Sequence, residues 1–296
     1  MSKMKNNDSK FFPNSNWLYI KVYSGYKTAE KLLANEVFEF ISNNNNLFEK
    51  FFFIRYFEEF PHIRFRFYNS DTSKNIDVQQ KIIAVLENYI NTDLIHKISI
   101  DTYQRETERY GGGNLIEHAE TLFYTDSIAC LSMLNLFTQI EEPEKYRILM
   151  ALRSIDELLD DFKFDLEQKY QFSKRIQMSF FQEFGGHPQL QKQLNDKYRG
   201  YQKLIFSHLD KSKDEENQIE EAIEFYKIRS SQSQKAIFTI LENVDKERLF
   251  ELMGSYVHML MNRMFLSQQR KFELVLYHFL EKYYNSQIAK EKYSKK

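Results

Sequence analysis

The run FFFIRYFEEFPHIRFRFY, residues 51–68, carries the reading of the fold. Residues 51–56 and 62–68 are dense in aromatic and β-branched side chains and are joined by a short acidic turn with Pro61, which predicts two strands. Side chains on a strand alternate between faces, so in Ile63, Arg64, Phe65, Arg66 and Phe67 both guanidiniums share one face and the apolar groups the other. An arginine fork is planar, permanently charged, and matches a carboxylate two bonds at a time. Two forks on one face suit an anion clamp; the alternative is the solvated basic face of an edge strand.

Outward from that run, WLYIKVY (17–23) reads as a strand, and residues 27–43 place Ala29, Leu32, Leu33, Val37, Phe40 and Ile41 at helical spacing. Residues 78–90 form a second helical pattern, and HKISIDTYQR (96–105) returns to strand character. The order strand, helix, strand, strand, helix, strand predicts an α+β protein: an N-terminal antiparallel sheet with helices, of split βαβ type, followed by a mainly α-helical half. Helices are expected over 116–137, 143–162, 165–183, 189–209, 213–241, 246–265 and 268–287. The expected organisation is a disordered tail over 1–13, one domain over 14–290 with its sheet-containing half at 14–115 and its helical half at 116–290, and a C-terminal tail over 291–296.

The chain's 41 basic and 42 acidic side chains nearly cancel, so no global field draws it to nucleic acid or to an anionic membrane. Anion recognition has to be local. Cys130 is the only cysteine, which excludes an internal disulfide and any cysteine-rich metal site. There is no apolar run of about 18 residues and no export-type N-terminus, so a cytoplasmic protein is expected. No Gly-rich phosphate loop, GxSxG elbow, HExxH or CxxC occurs, and the seven histidines lack ligand spacing, so neither cofactor nor metal is expected.

Two further clusters carry chemistry. In DTYQRETERYGGG (101–113), Tyr103 and Arg105 share a strand face, whereas Arg109 falls in the turn before Gly111 beside Glu106 and Glu108. Glu117 and Glu120 lie three apart on the next helix, where a carboxylate can pair with one of these arginines and hold it. In SYVHMLMNRMF (255–265), His258 and Asn262 are four apart and Arg263 follows, a polar stripe in an apolar helix. Taken alone, a histidine there is more often a satisfied core group than a catalyst.

Taken together and in this order, WLYIKVY, FFFIRY with PHIRFRF, DTYQRETERYGGG with AETLFYTDS, and VHMLMNRMF resemble the C-terminal elimination domain of class I lanthipeptide dehydratases. That domain family occurs also in thiopeptide biosynthesis, sometimes as a separate protein. The resemblance runs from about Trp17 to about Phe279. It implies that a separate enzyme joins glutamate from glutamyl-tRNA to Ser or Thr of a precursor peptide, and that this chain expels the glutamate to leave dehydroalanine or dehydrobutyrine. The glutamylated precursor peptide and the glutamylating enzyme are then its partners, with no direct nucleic-acid contact; the oligomeric state stays open, a homodimer being one option.

By the same resemblance His258 is the base, and Arg66 and Arg105 act with it on the glutamyl adduct. Arg64, Arg109, Tyr103, Glu117, Asn262 and Arg263 are the candidate substrate-binding residues, with Arg105 preferred to Arg109 as the arginine of the second cluster. Phe265, Leu266 and Ser267 stand where the family pattern has a glycine. Two other functions fit the same residues. One is the pyridine-forming cycloaddition of thiopeptide biosynthesis, which has no glutamate to bind; the other is a noncatalytic subunit that holds the precursor peptide.

Overall fold

The computed structural model describes residues 9–212 and 220–294. The sheet is built from β2 (Trp17–Ser24), β3 (Lys50–Phe57), β4 (Pro61–Tyr68) and β5 (Ile95–Ile100); a short strand β1 (Lys10–Phe11) precedes them. Three helical segments lie between the strands: α1 (Tyr26–Leu32) and α2 (Phe38–Asn43), linked by a π turn over Leu33–Val37, and α3 (Lys74–Asn91). The strand order is β3-β4-β2-β5 with every neighbouring pair antiparallel, the arrangement of a split βαβ unit.

Alternation decides the faces. Ile63, Phe65 and Phe67 on β4, with Phe51 and Phe53 on β3 and Ile20 and Val22 on β2, are fully buried. Phe40 of α2 meets Phe67 edge-on at 6.3 Å. Burying each such aromatic side chain is worth on the order of 2 kcal/mol, so this face fixes the register that sends Arg64 and Arg66 to the other side. Strand β4 is interior, flanked by β2 and β3, and not the edge strand that the solvated-face alternative requires.

Segment 96–105 is divided. After β5, the Asp101 N–H donates to the Tyr19 carbonyl at 3.0 Å, and the chain turns into a separate two-residue strand, β6 (Tyr103–Gln104). Strand β6 pairs antiparallel with β1, and Phe11 is buried with its ring 6.0 Å from that of Tyr103. Of the expected tail 1–13, residues 1–8 lie outside the described residues and Lys10–Phe11 is a strand.

The helices that follow are α4 (Ile116–Phe137), α5 (Pro143–Asp161), α6 (Leu166–Glu183), α7 (Pro188–Leu209), α8 (Glu220–Asn243), α9 (Lys246–Met264) and α10 (Gln269–Ser294). The expected start of α8 over 213–219 is outside the described residues, and α10 continues through 291–294, where a tail was expected. The described residues divide into two compact units. One unit joins the residues up to Gln139 with Gln232–Ser267; the other joins Ile140–Ser231 with the residues from Gln268 on.

Helices α4 and α9 join the sheet at the open edge of β3, whose peptide groups need partners. The Phe53 N–H donates to Ser127 Oγ of α4 at 3.2 Å, and the Phe53 carbonyl accepts from Arg263 Nε of α9 at 2.9 Å. One residue pair further, the Asn262 amide closes a two-way bond with Arg55, accepting from its N–H at 2.8 Å and donating to its carbonyl at 2.7 Å. Side chains of α4 and α9 thus take the place of a fifth strand.

In the second unit, α5, α6 and α10 share a buried ionic cluster in which Asp156 accepts from Lys169 Nζ at 2.6 Å and from the Tyr284 hydroxyl at 2.8 Å. Helix α6 opens with a reciprocal capping box between Asp165 and Gln168. Cys130 is buried. Among the described residues no helix is long and apolar enough to cross a membrane.

Candidate active site

The polar face of the sheet centres on Arg66. The register sets Arg66 between Tyr19 of β2 and Phe52 of β3, and Tyr103 of β6 folds over from the side. The guanidinium carbon lies 4.7 Å from the Tyr19 ring, 5.1 Å from Phe52 and 4.5 Å from Tyr103. Arg66 is 8 % exposed, its Nε has no hydrogen-bond partner, and among the described residues no carboxylate pairs with it. Cation–π contacts stabilise a desolvated guanidinium by about 2 kcal/mol but satisfy none of its N–H donors. An incoming carboxylate would do so.

Arg64 shares the face yet is engaged at the hairpin end. Its guanidinium stacks on Tyr56 at 3.4 Å and donates to Glu58 at 2.6 Å and to His62 Nε2 at 3.0 Å. The other His62 nitrogen, Nδ1, faces the Phe60 carbonyl at 3.0 Å, so the donor there is Nδ1–H and the ring is neutral, in keeping with a pKa lowered by burial.

Arg105 is locked in place. Its Nε and Nη2 each donate to Glu120 at 2.7 Å in a two-pronged pair, and the Tyr103 hydroxyl adds a third bond to Glu120 at 3.0 Å. Glu120 is buried, and burial raises its pKa against the opposing pull of Arg105 and Tyr103. Glu117 stays on the surface, 3.8 Å from Arg105. Nearby, Lys50 donates to the Glu117 carbonyl at 3.1 Å and to Thr121 Oγ1 at 2.8 Å, and burial lowers its pKa.

Arg109 occupies a different setting, in the 3₁₀ turn Thr107–Tyr110 that ends at Gly111. Gly111 has φ +90°, and a Cβ there would fall 2.8 Å from Leu115 Cδ1, so the turn requires glycine. Arg109 is partly exposed, pairs with Glu106 at 3.0 Å, and reaches Ser255 Oγ on α9 at 3.4 Å. Ser255 and His258 are three apart on α9 and so share a helix face. Arg109 thus stands beside the helix face of His258, whereas Arg105 is paired with Glu120.

His258 is half-buried on α9. A chain of rings joins its helix to the Arg66 cage: Phe52 to Phe123 at 5.5 Å, Phe123 to Tyr110 at 4.9 Å, and Tyr110 stacked on Tyr256 at 5.9 Å. Asn262 and Arg263 have structural work that their expected contact with substrate does not explain. Arg263 is fully buried, bonded to Phe53, Ser127 and the Met259 carbonyl, and Asn262 closes the β3 edge. Tyr19 and Phe52 escaped the sequence reading; once the strand order is known, their place opposite Arg66 follows from the register. No group of three or more His, Cys, Asp or Glu among the described residues could hold a metal ion.

The sheet, its annexed helices and the Arg66 cage define a split βαβ protein with a buried arginine at the centre of its polar face. The chain belongs to the lantibiotic biosynthesis dehydratase C-terminal family, whose model matches residues 17–284. It is 25% identical over 256 residues to the subtilin biosynthesis protein SpaB of Bacillus subtilis, covering 86% of this chain and 24% of SpaB. To the nisin biosynthesis protein NisB of Lactococcus lactis subsp. lactis it is 22% identical over 275 residues, covering 93% and 26%. The chain thus spans about a quarter of the length of these relatives.

Among solved structures, the tRNA dependent lantibiotic dehydratase MibB from Microbispora sp. 107891 superposes with a TM-score of 0.73 at 20% identity, over 92% of this chain and 28% of MibB. The pyridine synthase TbtD from thiomuracin biosynthesis gives 0.61 at 9% identity, over 90% and 97%. At these identities both likenesses are of fold.

Proposed function

We propose that this chain eliminates glutamate from glutamylated Ser or Thr residues of a ribosomal precursor peptide, leaving dehydroalanine or dehydrobutyrine in lanthipeptide biosynthesis. The observation that carries the reading is the buried guanidinium of Arg66, caged by three aromatic rings and paired with no carboxylate among the described residues. An uncompensated charge costs several kcal/mol to bury, and an anionic substrate group offsets that cost on binding. The glutamyl adduct supplies one in its free carboxylate. Family membership supplies the setting in peptide dehydration.

In this mechanism His258 takes the Cα proton, the electron pair of that C–H bond becomes the Cα=Cβ double bond, and the Cβ–O bond breaks as glutamate leaves as a carboxylate. Arg66 seats the adduct's free carboxylate, and Arg109 and Arg64 lend positive charge where the enolate and the departing carboxylate develop. The proton is held on His258 and then passes to water. The partners are the glutamylated precursor peptide and a glutamyl-tRNA-dependent enzyme that makes the ester. No cofactor enters this scheme.

The second reading, pyridine-forming cycloaddition, has the fold likeness to TbtD in its favour. It leaves the Arg66 cage without an anion to hold. Incubating the purified protein with a peptide bearing one glutamylated Ser tests the proposal by mass spectrometry. One dehydrated residue and one free glutamate per adduct is the expected result, and an unchanged ester would overturn it.

A further inference from the structure

Glu120 is an enclosed carboxylate of the polar face, 1 % exposed, and its partner Tyr103 also packs on Arg66, with which no carboxylate among the described residues pairs. Glu120 and Arg66 touch the same tyrosine: Glu120 accepts from the Tyr103 hydroxyl at 3.0 Å, and the Arg66 guanidinium lies 4.5 Å from the Tyr103 ring. Opposite charges that flank one ring in a desolvated setting attract. Glu120 is held instead by Arg105, whose Nε and Nη2 take one Glu120 oxygen each at 2.7 Å. The Tyr103 hydroxyl adds a further bond to one of those oxygens, so both face donors already in place.

Tyr103 is itself wedged. Phe11 stacks on it at 6.0 Å, and Trp17 meets it edge-on at 5.3 Å. Arg105 reinforces the same wall, with its guanidinium carbon 4.8 Å from the Phe11 ring. The hydroxyl bond to Glu120 sets the orientation of the ring that forms one side of the Arg66 cage.

We propose that Arg105, Glu120 and Tyr103 form a positioning network that keeps Arg66 open to an external carboxylate: Arg105 holds Glu120 away from Arg66, and Glu120 holds the Tyr103 ring against it. The proposal rests on the elimination reading for the identity of that carboxylate, a glutamyl group. Neither Arg105 nor Glu120 touches the substrate. Arg105 is then needed for binding because of what Glu120 would do without it, and this gives the network a signature that a merely structural pair lacks.

The test uses Trp17, the only tryptophan of the chain, whose ring contacts both Phe52 and Tyr103 of the cage. Its emission is titrated with free glutamate, and KM and kcat for a glutamylated peptide are measured alongside. Arg105→Gln is expected to weaken glutamate binding and raise KM about tenfold or more, with kcat changed far less. Adding Glu120→Gln to that variant is expected to restore both to within about threefold of wild type. Tyr103→Phe, which leaves the ion pair intact, is expected to weaken binding about fivefold.

Binding by Arg105→Gln within twofold of wild type would overturn the proposal, as would a double variant no better than the single one. If the single variant does not fold, the double variant and Tyr103→Phe decide the matter. A wild-type protein that eliminates glutamate without any saturable response to it would also overturn the proposal, by removing Arg66 as the seat of the carboxylate. Failure of the elimination reading shows separately, as an absence of dehydrated product from wild type whatever the binding data.

Discussion

Replacing Asn262 separates a structural role from a substrate contact. Its amide bonds the Arg55 N–H at 2.8 Å and the Arg55 carbonyl at 2.7 Å, on an edge where no further strand pairs among the described residues. A typical intramolecular hydrogen bond contributes about 1 kcal/mol net, so Asn262→Ala should destabilise the sheet unit by about 2 kcal/mol. Asn262→Asp keeps an acceptor for the Arg55 N–H but sets a carboxylate oxygen against the Arg55 carbonyl. Its loss near pH 7 should therefore equal or exceed that of the alanine variant and shrink as the pH approaches about 4, the ordinary range of an aspartate. Equilibrium urea unfolding followed by Trp17 emission reads both, since Trp17 is buried in the same unit. A midpoint for Asn262→Ala that gives less than about 0.5 kcal/mol of destabilisation, together with lost elimination, would refute the reasoning and return Asn262 to the substrate.

Arg263→Met removes bonds to Phe53, Ser127 and Met259 while relieving a fully buried charge; the balance should be a loss of about 2 kcal/mol in the same unfolding assay. Arg109→Ala should lower the elimination rate at least tenfold with an unchanged unfolding midpoint. In contrast, Arg105→Ala should cost about 1 kcal/mol of stability, since Glu120 loses its two-pronged bonds from Arg105 and regains a partner in Arg66, as thermal unfolding would register. His278 is buried with Nε2 unpartnered, and burial lowers its pKa from 6.5 to about 4. The unfolded chain therefore takes up a proton below pH 6.5 that the folded chain refuses until about pH 4. Its contribution is complete above pH 6.5 and falls by about 3 kcal/mol as the pH drops to 4, and His278→Leu should flatten that slope in denaturation measured across the range.

The sheet was legible because its signal is local. In HIRFRFY the alternation of apolar and charged residues assigns both faces without knowledge of any neighbour, and Ile63, Phe65 and Phe67 lie fully buried behind Arg64 and Arg66. The helix over 116–137 was likewise readable from period alone. What escaped involved partners distant in sequence or without side-chain identity. Asn262 and Arg263 bind backbone atoms more than 200 positions away, and no residue pattern marks a carbonyl as needing a donor. Arg105 and Arg109 look alike in DTYQRETERYGGG; only the turn at Gly111 sends one toward α9 and leaves the other with Glu120. The two-residue strand at Lys10–Phe11 exists because Phe11 packs on Tyr103, a tertiary contact that outweighs a polar, featureless local sequence.

The central claim is that His258 removes the Cα proton of a glutamylated residue. Its most direct test is the rate at which a peptide with one glutamylated Ser is converted to the dehydroalanine form, compared for wild type and His258→Ala by quantitative mass spectrometry of peptide and released glutamate. A positioned general base contributes on the order of a hundredfold or more, so the account predicts at least that loss in the variant with its fold intact. A His258→Ala protein that releases glutamate within a few-fold of the wild-type rate would contradict it.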